Sequence, residues 1–553
     1  MKSIINKIYS FFSFNEEKSN LPFTDKFLIL GCLFIIIIGI YTVYDIQKYA
    51  DILFWDESLY MQKGLQLWQQ PSLDWGPFYN IWYKLLSYFT SDKIELYYLN
   101  IKVLCVLLPL LLFIFLMVNN INPMLSFFVS ILFLYSYINL PIWPKVSHWC
   151  LIVFLIALII SKRFINSVYL KFLTIILGMI VCSYIRPEFY LAFILFSCFT
   201  IIHLFIYRHQ YPIKSIALYL SGILGLFILV KLVGNPTKTG GNGRMLITFG
   251  QHFALNYSRW NNITDKPFWI DWVFYLQDNF IHKPTSVILS TIGHHILSNI
   301  GNYIKSISKI IISFILPIFQ LKLTIHSIIL VGITILILVK NSAIQQFKKS
   351  TILSAFHPNN DLLKILFIWC IPTLASSIIA YPRDHYLILQ IPLYLILTVV
   401  FIDSILKLEL NLKLFTLIAI VLFFAKPSAA NFDYFDLLRK EKSLSNVTTI
   451  QYLQKKYPTK IIKVFDFEGD INTMLTKNFT SNSIDFFKSG STVVSKYIDS
   501  AKIDIIYVTP SLLHSRFTQN DTLLKAWISS PEKDDFQKVK TGNFEPYLLS
   551  RIK

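Results

Sequence analysis

Residues 27–60 read FLILGCLFIIIIGIYTVYDIQKYADILFWDESLY. The first half, 27–44, carries no charge, and the second half brings the adjacent carboxylates Asp56 and Glu57 among aromatic neighbours. A helix needs roughly 17 to 25 apolar residues to cross a bilayer core, so 27–44 reads as a membrane span. Uncharged runs recur at 103–118, 124–143, 189–207, 216–230, 323–339, 365–381 and 386–402. Shorter ones at 149–160, 172–185 and 414–425 become spans if their polar flanks snorkel or if they are sheltered in a bundle. Composition agrees: of 553 residues 54% are hydrophobic and 15% charged, with a mean hydropathy of +0.54. The expected fold is a polytopic α-helical membrane protein of about 11 to 13 transmembrane helices, followed by a small C-terminal α/β domain.

The net charge of +19 is dispersed and not gathered on a soluble domain, which argues against a nucleic-acid partner. Many cations lie in short connections: Lys2, Lys7, Lys18 and Lys26, then Lys162, Arg163 and Lys171, then Arg208 and Lys214, and later Lys340, Lys348, Lys349, Lys364, Lys407 and Lys413. The positive-inside rule then sets the N-terminus (1–26) in the cytoplasm and the segments 45–100, 234–322 and 426–553 on the outer face. The transmembrane domain is expected over 27–425. Eleven crossings are expected, or thirteen if 285–300 and 310–321 both cross; Pro317 makes an interfacial or re-entrant helix the better reading of 310–321. All six cysteines fall in or beside apolar runs, so no disulfide framework is implied. The first run lacks a small-residue cleavage site, so it reads as a retained span. The tail, 426–553, alternates like an α/β domain: helices at 447–456 with Asn446 as N-cap and at 493–501, strands at 461–467, 503–508 and 547–552.

Chemistry is expected at the boundary between bundle and outer loops. Adjacent carboxylates on a helix point in different directions, so one of Asp56 and Glu57 can face a substrate while the other holds the loop. A carboxylate at a partly dehydrated boundary gains basicity, which suits a general base; solvated charges on a juxtamembrane helix are the plainer alternative. Arg186, in YIRPEF (184–189), and Arg383 with His385, in YPRDHY (381–386), run against the positive-inside trend and suit a lipid phosphate. Local pairs, Arg186 with Glu188 and Arg383 with Asp384, are the alternative. Lys145 and His148 can join the phosphate site or serve as interfacial anchors beside their Trp neighbours. In the 234–322 segment, Gly240 to Arg244 is a flexible turn with no nucleotide fingerprint. His252 and the aromatics Trp260, Phe268, Trp269 and Trp272, with Asp271, suit a carbohydrate wall, and equally an interfacial amphipathic segment. His294 and His295 diverge on a helix and lack an acidic partner, which argues against a metal there. Asn446-Val447-Thr448 matches a glycosylation acceptor pattern.

Taken together, Asp56-Glu57 with Tyr60, Gly76-Pro77-Phe78-Tyr79, Arg186-Pro187-Glu188, Arg383 to Tyr386 before a span containing Pro392, and an outer tail resemble the GT-C superfamily of membrane glycosyltransferases. The similarity is to the branch of protein O-mannosyltransferases and aminoarabinose transferases. The resemblance implies a polyprenyl-phosphate sugar donor, a glycan, lipid or protein acceptor, and inversion at the anomeric carbon. It casts Asp56 as base with Glu57 as its catalytic partner, and Arg186, Arg383, His385 and Lys145 as donor phosphate ligands. Tyr60, Trp75, Tyr79, Glu188 and His252 become substrate contacts. It leaves a divalent cation open as cofactor, with no dedicated metal ligand set. Gly76-Pro77 departs from the Pro-Pro pair common in relatives. The expected location is the bacterial inner membrane. Rival readings are an O-antigen-type polymerase or ligase, a flippase of lipid-linked sugars, and a non-catalytic assembly subunit.

Overall fold

The computed structural model describes residues 25–53, 56–69, 76–140, 144–238, 244–262, 282–315, 332, 342–344, 360–408, 412–424, 445–458, 460, 462–467, 471–475, 486, 491, 493–509, 512–513, 515–534, 536–541 and 547–551. Seven helices among them are long and apolar enough to cross a membrane: Lys26–Lys48, Lys93–Val118, Val146–Arg163, Phe189–Ile206, Ile213–Val233, Asn360–Ile379 and Asp384–Asp403. Three shorter apolar helices, Pro123–Tyr135, Val168–Ser183 and Leu412–Phe423, fall on three further expected crossings. The expected span at 323–339, residue 332 apart, lies outside the described residues. This is the build of a polytopic helical protein with a small sheet.

Two expected boundaries move. The span expected from residue 103 begins at Lys93, because Asp92 caps the helix there, its Oδ1 accepting from the N–H groups of Ile94 (2.7 Å) and Glu95 (2.9 Å). The last residues of the expected 45–100 loop therefore belong to the bundle, and Tyr97, Tyr98 and Asn100 face inward from it. The stretches 285–300 and 310–315 form one continuous helix, Thr285–Ile315, led in by Pro284, with no internal proline to divide it. Residues 316–321, with Pro317, lie outside the described residues.

The bundle is keyed by Trp369. Its ring lies between those of Phe154 (centroids 3.6 Å, interplanar angle 4°) and Phe189 (3.8 Å, 20°), and its Nε1 donates to the Leu389 carbonyl at 2.8 Å. One fully buried side chain thus joins four spans.

In the tail, Val464–Asp466, Ile505–Val508, Tyr547–Ser550 and Gln537–Val539 make a sheet in that order, the first pair parallel and the others antiparallel. Strand alternation sends Phe465, Ile506, Val508 and Leu549 to a core of the tail's own, with Trp527 and Phe536. It sends Val464, Ile505, Tyr507 and Leu548 to the opposite face, into the apolar core continuous with the bundle. The edge strand Gln537–Val539 has no strong hydrophobic pattern to announce it. A short antiparallel pair, Ser342–Ile344 with Leu406–Leu408, completes the described strands.

Trp369→Ala is expected to cost about 3 to 5 kcal/mol and to lower the unfolding midpoint in detergent far more than Trp369→Phe, which keeps the ring stack and loses only the bond to Leu389. Equal midpoints for the two variants would remove the stack from its assigned role.

Candidate functional site

Helix Asp56–Leu65 opens with the carboxylate pair, and the two side chains part company at once. Glu57 is 1% exposed. Its Oε1 accepts from the hydroxyls of Tyr79 (2.6 Å) and Tyr83 and from Asn100 Nδ2 (2.9 Å), and its Oε2 accepts from the Lys145 backbone N–H (2.6 Å). Burial pushes the Glu57 carboxyl above its ordinary value, opposed by the hydrogen bonds from Tyr79, Tyr83 and Lys145 N–H. Asp56, one helical step away, is half-exposed and makes no hydrogen bond or ion pair with another described residue.

The Lys145 link carries the network to the next loop. The Lys145 ammonium is fully buried and donates to the carbonyls of Asn139 (2.5 Å) and Leu140 (3.3 Å), with His148 Nε2 at 3.3 Å. It points into the turn, and burial lowers its pKa against the raising influence of Cys105 and Glu57. Two residues on, Ser147 Oγ accepts from Arg186 Nη1 at 3.1 Å. Arg186 pairs with Glu188 at 2.6 Å and lies over the Tyr386 ring at 4.5 Å. Burial works against the guanidinium charge, and Glu188, Tyr386 and Tyr60 overcome it, so Arg186 is held charged. Tyr60 also packs edge-on to Tyr79, centroids 5.1 Å apart.

Gly76 stands at a position that proline could not take. Its φ of +65° is closed to proline, and a Cβ there would meet the Ile185 carbonyl at 2.8 Å and the Tyr60 ring at 3.1 Å. The backbone of the first loop therefore lies directly against the turn that carries Arg186.

On the far side of Arg186, His385 is buried within electrostatic reach of Arg186, Arg383, His252 and His148. His252, on helix Arg244–Trp260, is 4% exposed and stacks on Tyr381 (5.2 Å), and neither ring nitrogen has a hydrogen-bond partner. Burial, with the charges of Arg383, His295 and Arg259, lowers it from an ordinary 6.5 to about 3. Arg383 is half-buried, and Arg259 is near enough to Tyr381 to donate to its hydroxyl at 3.4 Å. Among the described residues neither Arg383 nor Arg259 has a carboxylate in ion-pair range, so the Arg383–Asp384 pair does not form. His295 turns away from His294 and binds Asn256, Asn299 and the Ile379 carbonyl, while His294 meets Trp260. No group of three or more His, Cys, Asp or Glu suited to a metal occurs among the described residues.

Glu57, Tyr60, Tyr79, Lys145, Arg186, Glu188, Arg383, His385 and His252 are thus linked in one chain of contacts and electrostatic interactions, and Asp56 precedes Glu57 in the helix that begins it. Trp75, Phe268, Trp269, Asp271 and Trp272 lie outside the described residues, as does most of the turn before Arg244. Sequence reasoning missed Tyr83, Asn100, Ser147 and Arg259. Tyr83 stands one helical turn after Tyr79, a spacing that puts both hydroxyls on one face and is the signal that finds it. Asn100 lies in the polar first turns of its helix, between Glu95 and Lys102, and carries no comparable signal. No family model matches the chain, and no curated protein is similar to it in sequence.

Glu57→Gln sets an amide N–H₂ against one of the donors that now meet the carboxylate; a loss of about 1 to 3 kcal/mol is expected, read as a lowered unfolding midpoint. An unchanged midpoint would mean that the network tolerates a donor there.

The second expectation concerns pH. His252 stays neutral in the fold down to about 3, whereas the unfolded chain protonates it near 6.5. The unfolded state therefore binds more protons between these values, and stability falls as pH drops through that window. His252→Gln should show a shallower acid loss of midpoint between pH 6.5 and 4.5 than the parent; parallel slopes would contradict a neutral buried imidazole.

Proposed function

We propose that this protein is an inverting glycosyltransferase that moves a sugar from a polyprenyl-phosphate donor to an acceptor at the outer face of a bacterial inner membrane, its N-terminus cytoplasmic and its tail outside. The observation that carries this reading is the division of labour between the two carboxylates: Glu57 is saturated by four donors, and Asp56, the next residue, is part-exposed and unpaired among the described residues. The GT-C-like motifs in the same residues support it.

In this scheme Asp56 takes the proton from an acceptor hydroxyl or amine as that atom attacks the anomeric carbon, and the lipid phosphate leaves from the opposite side. Carboxylate and attacking atom share one face, and the departing charge needs cations on the other. Arg186 is largely offset by Glu188, which leaves Arg383 as the principal counter-charge, with His252 and His385 as donors able to protonate when an anion arrives. Lys145 acts through the loop it holds and not through direct contact with the donor. A lipid-borne donor concentrates in the membrane, so no soluble nucleotide sugar is required.

The deciding experiment supplies purified protein with radiolabelled polyprenyl-phosphate sugars and a membrane extract as acceptor. Asp56→Asn is expected to lower turnover at least about a hundred-fold in a folded protein. Arg383→Ala is expected to raise the donor KM. Transfer undiminished in Asp56→Asn would reject the assigned base. Transfer by neither variant nor parent, with the acceptor present, would favour a polymerase or flippase.

A further inference from the structure

The residues just before the carboxylate helix are held from two directions. Tyr98 Oη donates to the Ala50 carbonyl (2.6 Å), and the Leu53 N–H donates to Tyr97 Oη (3.0 Å), both from helix Lys93–Val118. The other grip comes from the tail. Asp51, 4% exposed, accepts from its neighbour Ile52 N–H (2.9 Å) and from the N–H groups of Asn446 (2.9 Å) and Val447 (3.0 Å), 395 and 396 residues away. These are unsatisfied donors in the first turn of helix Ser445–Lys456. Asn446, expected to cap that helix itself, turns its side chain elsewhere: Nδ2 donates to the Ile52 carbonyl (2.7 Å), and Oδ1 accepts from Tyr507 on the central strand (2.7 Å). An amide so engaged is not presented for glycosylation. The tail also meets the carboxylate helix directly through Ile471–Met474, and Lys93 Nζ donates to the Thr473 carbonyl at 2.7 Å.

We propose that Asp51 is a positioning residue: by capping the first helix of the tail it fastens the tail to the segment leading into Asp56, and the seating of the tail sets where Asp56 stands. Its consequence for turnover rests on the transferase reading; the docking itself does not. A helix dipole and two directed N–H bonds give the contact both strength and orientation. A tail that merely covered the bundle would need only its apolar face.

The test has two arms. In the transfer assay, Asp51→Ala is expected to lower kcat at least ten-fold with donor KM within two-fold, and Asp51→Asn, which keeps one acceptor oxygen, to recover part of the loss. Asn446→Ala leaves both N–H donors to Asp51 in place and removes the neighbouring bond to the Ile52 carbonyl, so it should lower kcat less than Asp51→Ala does. Unchanged kcat in Asp51→Ala, or an Asn variant no better than Ala, would overturn the proposal. The second arm needs no activity. Asp56→Cys is labelled with a membrane-impermeant maleimide, with and without Asp51→Ala, and protein retaining Asp56 gives the background from native cysteines. A labelling rate altered at least three-fold is expected, and equal rates would overturn the docking. Altered labelling with no transfer by the parent would uphold the docking and reject the transferase reading.

Discussion

A carboxylate removed from water at the end of a helical bundle must be surrounded by donors or not be charged at all, and the satisfaction of Glu57 is the constraint from which the site is built. Two hydroxyls from Pro77–Leu86, an amide from Lys93–Val118 and a backbone N–H at the start of Val146–Arg163 converge on its two oxygens. None of these elements can shift by an ångström without leaving a donor or the carboxylate unpaired. The same backbone N–H belongs to Lys145, whose ammonium closes the turn before Ser147, and Ser147 receives Arg186. A buried ionic group is weak evidence for stability, but it fixes register, and register is what the proposed base and phosphate site on different loops require.

Much of this was legible in the sequence, and for identifiable reasons. Uncharged runs of bilayer length name their own spans, and the alternation in the tail named three of its four strands. The candidates at residues 56–60, 186 and 383–385 stood out because charge is scarce near apolar helices, so each polar residue at a span end carried information. What escaped were the partners of these residues. Asn100 and Tyr83 look unexceptional until folded against Glu57, 43 and 26 residues away. Asp51 was hidden by its more conspicuous neighbours, and the cap it supplies crosses 395 residues of chain. Asn446 was assigned the cap because local rules favour it; a tertiary carboxylate displaced it, and the amide was freed to bridge the Ile52 carbonyl and Tyr507.

His252 marks where local satisfaction stops. Elsewhere in the chain of contacts each buried cation or carboxylate finds a partner, whereas this imidazole is stacked and sealed with both nitrogens idle. A polar group so held costs stability, and the cost is tolerable where an incoming anion supplies the missing bond and a proton follows it. The proposed phosphate leaving group has that chemistry.

Apart from the exposed edge strand Gln537–Val539, the sheet of the tail has no face for water. One side closes over Trp527 and Phe536, and the other, with Val464, Ile505, Tyr507 and Leu548, closes over the bundle. During synthesis the partner surface around Asp51 emerges hundreds of residues before the helix that docks on it. At about 5 to 20 residues per second that interval is roughly 20 to 80 seconds. Through that interval the first loop lacks the hold that helix Ser445–Lys456 gives it, and the tail, once made, carries an apolar face that its own bundle covers. A polypeptide stalled before its tail therefore has every donor to Glu57 already made, while the segment before Asp56 still lacks its second hold.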